Sequence, residues 1–362
     1  MSPSGLGLLA AFPAEVLQLI LLKAGGRSVR ILSSGLKQSF DEANTTLTIN
    51  PFHRRSFHHP SNTGLLIASI IRNSKALVSV TVSYHCASDA KEFLPFLVTL
   101  KNLHELNLSS NRCDECRENC DICSGTRSLA LFVTGLTRLR LLDLSDSNIG
   151  NLGIASLSPC LTALTGLLML DLSFNNMGPD GAASLSPSLT ALAGLLTLKL
   201  SNNDLGPSGA ASLATSLMVL SGLQMLDLSH NRIGQSGAAS LVPSLMILTS
   251  LTDLNLLGNS LEPAGAALLA RSLSALTGLE TLNLSLNGID GPSGAASLAP
   301  SLMVLTGLYK LNLYGNEIGS AGMKLLAPSL VAMSRLRVLI LEGHGPYFGP
   351  DEIKALLHTV IG

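Results

Sequence analysis

The sequence predicts an α/β solenoid: a stack of short coils, each giving one strand to a parallel sheet and one helix to its back. Two observations predict it. An asparagine recurs at Asn175, Asn203, Asn231, Asn259 and Asn287, each 28 residues after the last, and again at Asn316, 29 residues on, because Gly291 is one residue extra in that turn. Around each asparagine stands one pattern, seen in Leu223–Gly234 as LQMLDLSHNRIG, with leucines at 223, 226 and 228 and an aliphatic residue at 233. A period in the high twenties with such a signature marks a repeat architecture.

Each part of the unit has a physical job. Leu226 and Leu228 alternate with Met225, Asp227 and Ser229, so the leucines point inward from a short strand and the others face solvent. Asn231 turns the chain away, and its amide can satisfy backbone groups of neighbouring coils that a buried turn cannot leave unpaired. In the segment that follows, Leu241, Leu245 and Leu248 stand at helical spacing and pack on the back of the strand. Gly237, Ala238 and Ala239 let the helix start lie close to its neighbour. One coil cannot bury its leucines alone, so stability comes from stacking, at about 2 kcal/mol per buried leucine.

Composition agrees. The 362 residues are 46% hydrophobic but only 4% aromatic, with no Trp, which suits an array built from leucine and alanine. A net charge of −1 gives no electrostatic case for nucleic acid or an anionic membrane. Six cysteines are too sparse for a disulfide scaffold in a chain this long. The apolar N-terminus lacks a basic n-region and is interrupted by Pro13, Glu15 and Gln18, so it does not read as a signal peptide. No stretch offers 18 uninterrupted apolar residues. Cytosol or nucleus is the expected compartment.

Residues 1–45 differ from the rest. FPAEVLQLILLKAG predicts a helix opened by Pro13, with Val16, Leu17, Ile20 and Leu21 as its apolar stripe. After Gly25-Gly26, Val29, Ile31, Leu32, Leu36 and Phe40 form a second helical pattern. Phe12-Pro13-Ala14-Glu15-Val16-Leu17 resembles the opening of an F-box, with Phe in place of Leu. That resemblance implies docking to a Skp-type adaptor through Pro13, Val16, Leu17, Ile20 and Leu21. The alternative for the same segment is a helical cap over the open end of the solenoid.

From residue 46 to 362 the chain reads as repeat. Leu47–Ile49 and Val78–Val82 look like the first two strands, with Leu65, Leu66, Ile70 and Ile71 as a helix between them, and residues 102–111 form the first clean unit. His85 takes the ladder position, so Cys86 is expected near Cys113. An insertion at 112–126 swells one unit to 36 residues and carries Cys113, Cys116, Cys120 and Cys123 as two Cys-x-x-Cys pairs. Four thiolates at that spacing can turn around one structural zinc; an exposed reduced loop or a reversible disulfide are the alternatives. Ser147 and His344 replace the ladder asparagine. Pro159, Pro187, Pro243, Pro300 and Pro328 fall inside the helical patterns, which predicts a kink or restart in each. Pro350 opens a C-terminal capping helix over 350–361.

No catalytic constellation is expected. There is no nucleotide-binding loop, HExxH or GxSxG context, and His53, His58 and His59 have no carboxylate or cysteine at ligand spacing. The column Asp143, Asp171 and Asp227 is interrupted by Lys199 and reads as a shared polar face. Phe174, His230, Leu257, Tyr309 and Tyr314 are bulky residues on a face otherwise made of Ser, Asp and Asn, and exposed aromatics are common binding anchors. The expected partner site is Met169, Asp171, Phe174, Met225, Asp227 and His230, an apolar anchor whose aspartates meet basic groups; a second site around Tyr309 and Tyr314 is the alternative.

Over about residues 77–345 the repeats resemble the ribonuclease-inhibitor class of leucine-rich repeats. The resemblance implies a leucine-rich-repeat solenoid shaped as a horseshoe, a parallel sheet on the concave face and helices on the convex face, and a protein-binding role. With the F-box-like segment, that role becomes substrate recognition for a cullin-type ubiquitin ligase. The rival is a Ran-GTPase-activator-like regulator of a small GTPase, whose family usually adds an acidic tail that this chain lacks.

Overall fold

The computed structural model describes residues 78–82, 94–110 and 133–341 in full and the backbone of four strands before them. The chain divides into two compact units, 1–148 and 149–362.

In the first unit, β1 (Ile20–Ala24), β2 (Ser28–Leu32), β3 (Leu36–Asp41) and β4 (Thr46–Pro51) form an antiparallel meander. From β4 the pairing turns parallel, through β5 (Ser79–Val82), β6 (Glu105–Asn107) and β7 (Leu141–Asp143). Leu47, Val80, Leu106 and Leu142 lie in one register row. Thus the strands expected at Leu47–Ile49 and Val78–Val82 are present.

The helical expectation for residues 1–45 is corrected over residues 20–41. Ile20 and Leu21 belong to β1, paired with Leu32 and Ile31. The reason is legible in the residues: β-branched Val29 and Ile31 alternate with Ser28 and Arg30, and Gly25-Gly26 sits where a hairpin places such a pair. Pro13, Val16 and Leu17 lie outside the described residues. So do the helix expected at Leu65–Ile71, His85, Cys86, the insertion with Cys113, Cys116, Cys120 and Cys123, His344 and the capping helix.

The second unit is regular. Three-residue strands β8 (Met169–Asp171), β9 (Thr197–Lys199), β10 (Met225–Asp227), β11 (Asp253–Asn255), β12 (Thr281–Asn283), β13 (Lys310–Asn312) and β14 (Val338–Ile340) pair parallel in sequence order. Helices α1 (Gly150–Leu161), α2 (Gly178–Ala191), α3 (Gly206–Leu217), α4 (Gly234–Ile247), α5 (Glu262–Leu273), α6 (Gly291–Val304) and α7 (Gly319–Ala332) cover one face. The middle leucine of every strand is at most 1% exposed, as are Leu241, Leu245 and Leu248 on the helical side. Gly237 is forced by proximity: a Cβ there would fall 3.1 Å from the Pro207 Cα of the preceding helix. Ala238 is buried with it, whereas Ala239 faces solvent.

The asparagine ladder closes each coil on the next. Asn175, Asn203, Asn231, Asn259, Asn287 and Asn316 are fully buried. The Asn231 Oδ1 accepts the Asn203 N–H at 2.9 Å and the Leu205 N–H at 3.4 Å, and its Nδ2 donates to the carbonyls of Leu200, Leu228 and Ser229. The same bonds repeat one coil along at Asn203 and at Asn259. Ser147, standing for an asparagine, donates from its Oγ to the Leu108 and Ser145 carbonyls. The extra residue of the 29-residue coil is Asp290, in extended backbone, rather than Gly291: Gly291 keeps the left-handed helix-start place of Gly178, Gly206 and Gly234, but its N–H donates to the Glu317 carbonyl where theirs donate to a ladder asparagine.

The helices do not restart at proline. Pro159, Pro187, Pro243, Pro300 and Pro328 all lie inside unbroken helices. Each proline is exposed, and so is the residue four before it, so the carbonyl that loses its partner lies on the face where water can replace it.

Candidate functional site

The open face of the β8–β14 sheet presents three columns of side chains. The first is Met169, Thr197, Met225, Asp253, Thr281 and Lys310, in one register row. Met169 and Met225 therefore flank Thr197 at about 10 Å from each other, two strand spacings. Both methionines are half-buried rather than exposed. Neighbouring side chains in a tight parallel sheet shade any residue directed straight out of it, which sequence spacing cannot reveal.

The second column is Asp171, Lys199, Asp227, Asn255, Asn283 and Asn312, and it is tied into the backbone. Oδ1 of Asp171, Asp227, Asn255, Asn283 and Asn312 accepts the N–H two residues on, at 2.9–3.2 Å. Ser229 Oγ also donates to Asp227, at 2.7 Å. These are Asx turns that bend the chain out of each strand. Asp171 is only 7% exposed, and its Oδ2 lies 3.4 Å from the Lys199 Nζ. Asp171 thus already holds a cation from its own sheet, which corrects the expectation that both aspartates await a partner's basic groups. Asp227 keeps a half-exposed carboxylate. With Asp253 on β11 and Glu280 just before β12, it forms an acidic diagonal across three neighbouring coils.

The third column holds the residue before each ladder asparagine: Phe174, Asn202, His230, Gly258, Leu286 and Gly315. All six are left-handed, with φ between +53° and +68°. Glycine and asparagine adopt that conformation readily; bulky residues do so at about 1–2 kcal/mol each. Phe174 is nonetheless 49% exposed and Leu286 48% exposed. His230 leans over the next coil, where a Cβ on Gly258 would fall 2.6 Å from its Nδ1. The Leu286 side chain likewise lies over Gly315. Leu286 was missed in the sequence, although its place directly before Asn287 in the Phe174 and His230 column was the available signal.

Tyr309 and Tyr314 are 51% and 52% exposed. Tyr314 stands beside Leu286, whose N–H donates to its carbonyl at 2.7 Å. Leu286 and Tyr314 thus stand together on two adjacent coils, whereas Tyr309 lies at the other end of β13, where its N–H donates to the Glu280 carbonyl. Leu257, in the Tyr314 column, is half-buried.

Among the described residues, no group of three or more His, Cys, Asp or Glu stands placed to hold a metal ion, and no helix is long and apolar enough to cross a membrane. Among curated proteins no match is found. Among solved structures, the complex of Rad7 and Elc1 in yeast matches with a TM-score of 0.49 and 18% identity, over 77% of this chain and 66% of that one, so the chain spans slightly less than two thirds of that protein. A family model described as "Leucine Rich repeat" matches residues 136–158, 167–186, 195–214, 223–242, 276–299 and 308–327. Those segments coincide with strand, ladder position and helix start, the ladder position being Ser147 in the first and asparagine in the other five, and the fold is an α/β solenoid of leucine-rich repeats.

Proposed function

We propose that this chain is a protein-binding scaffold, and that its partner lies on the open sheet face between Phe174 and Tyr314. The observation that carries the reading is the third column. Phe174, His230 and Leu286 hold left-handed backbone where Gly258 and Gly315 show that glycine serves the turn. Strain kept at exposed bulky residues is strain a folding role alone does not need. The main anchor is Leu286 with Tyr314, because exposed aromatic residues carry much of an interface's affinity, and Tyr309 at the other end of β13 widens the footprint. Phe174 and His230 form the far edge of the footprint. Between them Asp227, Asp253 and Glu280 call for basic groups on the partner, which orient it and speed its arrival.

Coils of 28 and 29 residues, each with a helix of 12 or 14 residues, support the ribonuclease-inhibitor class. A place in a ubiquitin ligase rests on the F-box resemblance of Phe12–Leu17 and of the segment 33–43, and the strands at 20–41 argue against a two-helix adaptor module. Regulation of a small GTPase gains no support from any residue on the sheet face. Affinity capture from native extract tests the scaffold reading. Tyr314→Ala with Tyr309→Ala is expected to lose at least tenfold of the recovered partner, and Pro243→Ala, on the helical side, none. Equal recovery by both variants overturns it.

A further inference from the structure

The sheet face is not the whole of the exposed apolar surface. At the C-terminal ends of the helices, Met218 and Val219 are each 42% exposed, Met246 and Ile247 are 51% and 38%, and Met303 and Val304 are 43% and 44%. Residues 28 apart occupy the same place on successive coils, so Met218 meets Met246 and Val219 meets Ile247 as two adjacent rows. In the remaining coils of the second unit the same two places hold Thr-Ala, Ser-Ala or Val-Ala, and no charged residue enters either row. Helices α3, α4 and α6 contain no Asp, Glu, Lys or Arg along their whole length. The chain is 13% charged, against about 25% in an ordinary soluble domain, and the deficit is concentrated on this side.

We propose that this uncharged edge is where a second copy of the chain docks. The argument for that occupant is threefold. A surface without charge offers a foreign protein nothing to steer it or to fix its orientation, whereas two copies meet with no like-charge repulsion. The methionine and aliphatic rows repeat at the spacing of the coils, and a copy turned through a two-fold axis presents ridges at that same spacing, so the two sets interdigitate over several coils. The extent is sufficient. The two rows and the two turn positions after them, such as Ser221-Gly222 and Thr249-Ser250, recur in all seven coils, which reaches the roughly 20–30 residues a side of a standard interface. Methionine suits such a seam because its unbranched chain adapts to the opposing ridge. A lipid surface is the weaker occupant: this edge has no Trp or Tyr, and among its row and turn positions the one basic residue is Arg335, so the fringe an interfacial helix uses is missing.

Sedimentation equilibrium of the full chain at micromolar concentration tests this. The unaltered chain is expected to be a dimer, and Met246→Glu with Ile247→Glu is expected to raise its dissociation constant more than tenfold while circular dichroism is unchanged. Met218→Glu on the neighbouring coil repeats the test should the first pair fail to fold. Tyr314→Ala, on the sheet face, leaves the dimer intact. A monomeric unaltered chain overturns the proposal, as does a dimer indifferent to both variants. A monomer that co-sediments with neutral phosphatidylcholine vesicles overturns it in favour of a lipid surface.

Discussion

Asn231→Ala tests whether the ladder holds the coils together. The substitution removes an amide whose Nδ2 donates to the carbonyls of Leu200, Leu228 and Ser229. Those three oxygens lose little. Leu200 still receives the Asn203 Nδ2, Leu228 the Asn259 Nδ2, and Ser229 the Asn202 N–H. The loss falls on the donors. The Asn203 and Leu205 N–H groups, which donate to the Asn231 Oδ1, are left without it in a fully buried turn. An unsatisfied buried donor costs about 1–3 kcal/mol. The Leu205 bond is long at 3.4 Å and counts at the low end, so a loss of about 2–4 kcal/mol is expected. Asp204→Ala is the control. It breaks a pair to Arg232 in which both side chains are more than half exposed, and such pairs contribute under about 1 kcal/mol. Urea unfolding followed by circular dichroism reads both. If Asn231→Ala loses no more than Asp204→Ala, the ladder is not what joins the coils.

Four further outcomes are expected. Phe174→Gly relieves left-handed strain and raises stability by about 1 kcal/mol in urea unfolding, while weakening partner capture. Gly258→Ala displaces the His230 ring, since the new Cβ would meet Nδ1 at 2.6 Å, and the imidazole resonances shift in NMR spectra. Lys199→Ala leaves the nearly buried Asp171 carboxylate without its cation and costs about 1 kcal/mol in the same unfolding assay. Burial raises the Cys160 thiol above its ordinary value, so its reaction with a thiol reagent at neutral pH runs slower than that of a free cysteine and speeds up only at higher pH.

Much of the second unit was legible because period fixes register. Once Asn203 and Asn231 align, Met169, Thr197 and Met225 must share a row, and they do. What period does not carry is the environment of each place. It could not show that Met225 is shaded, that Asp171 spends its charge on Lys199, or that Leu286 leans over Gly315. Those depend on which side chains are neighbours across coils, and each lies 28 or 29 residues away in the chain. The prolines mislead for a related reason. Proline breaks a helix where its lost bond is buried, and only the fold shows that Pro187 and Pro243 lie on the solvent side. Residues 20–41 were misread because a run such as SVRIL satisfies helical and strand spacing alike, and pairing with neighbours decides between them. The Met218–Ile247 edge went unnoticed since attention to a motif favours the strand, where the pattern is strongest.

The most direct measurement places a photoreactive phenylalanine analogue at Tyr314 and, separately, at Met246, and identifies the adducts formed in native extract. The sheet-face account predicts that position 314 joins a different protein, while position 246 joins only another copy of this chain. A foreign protein captured from position 246, with none from position 314, would contradict it.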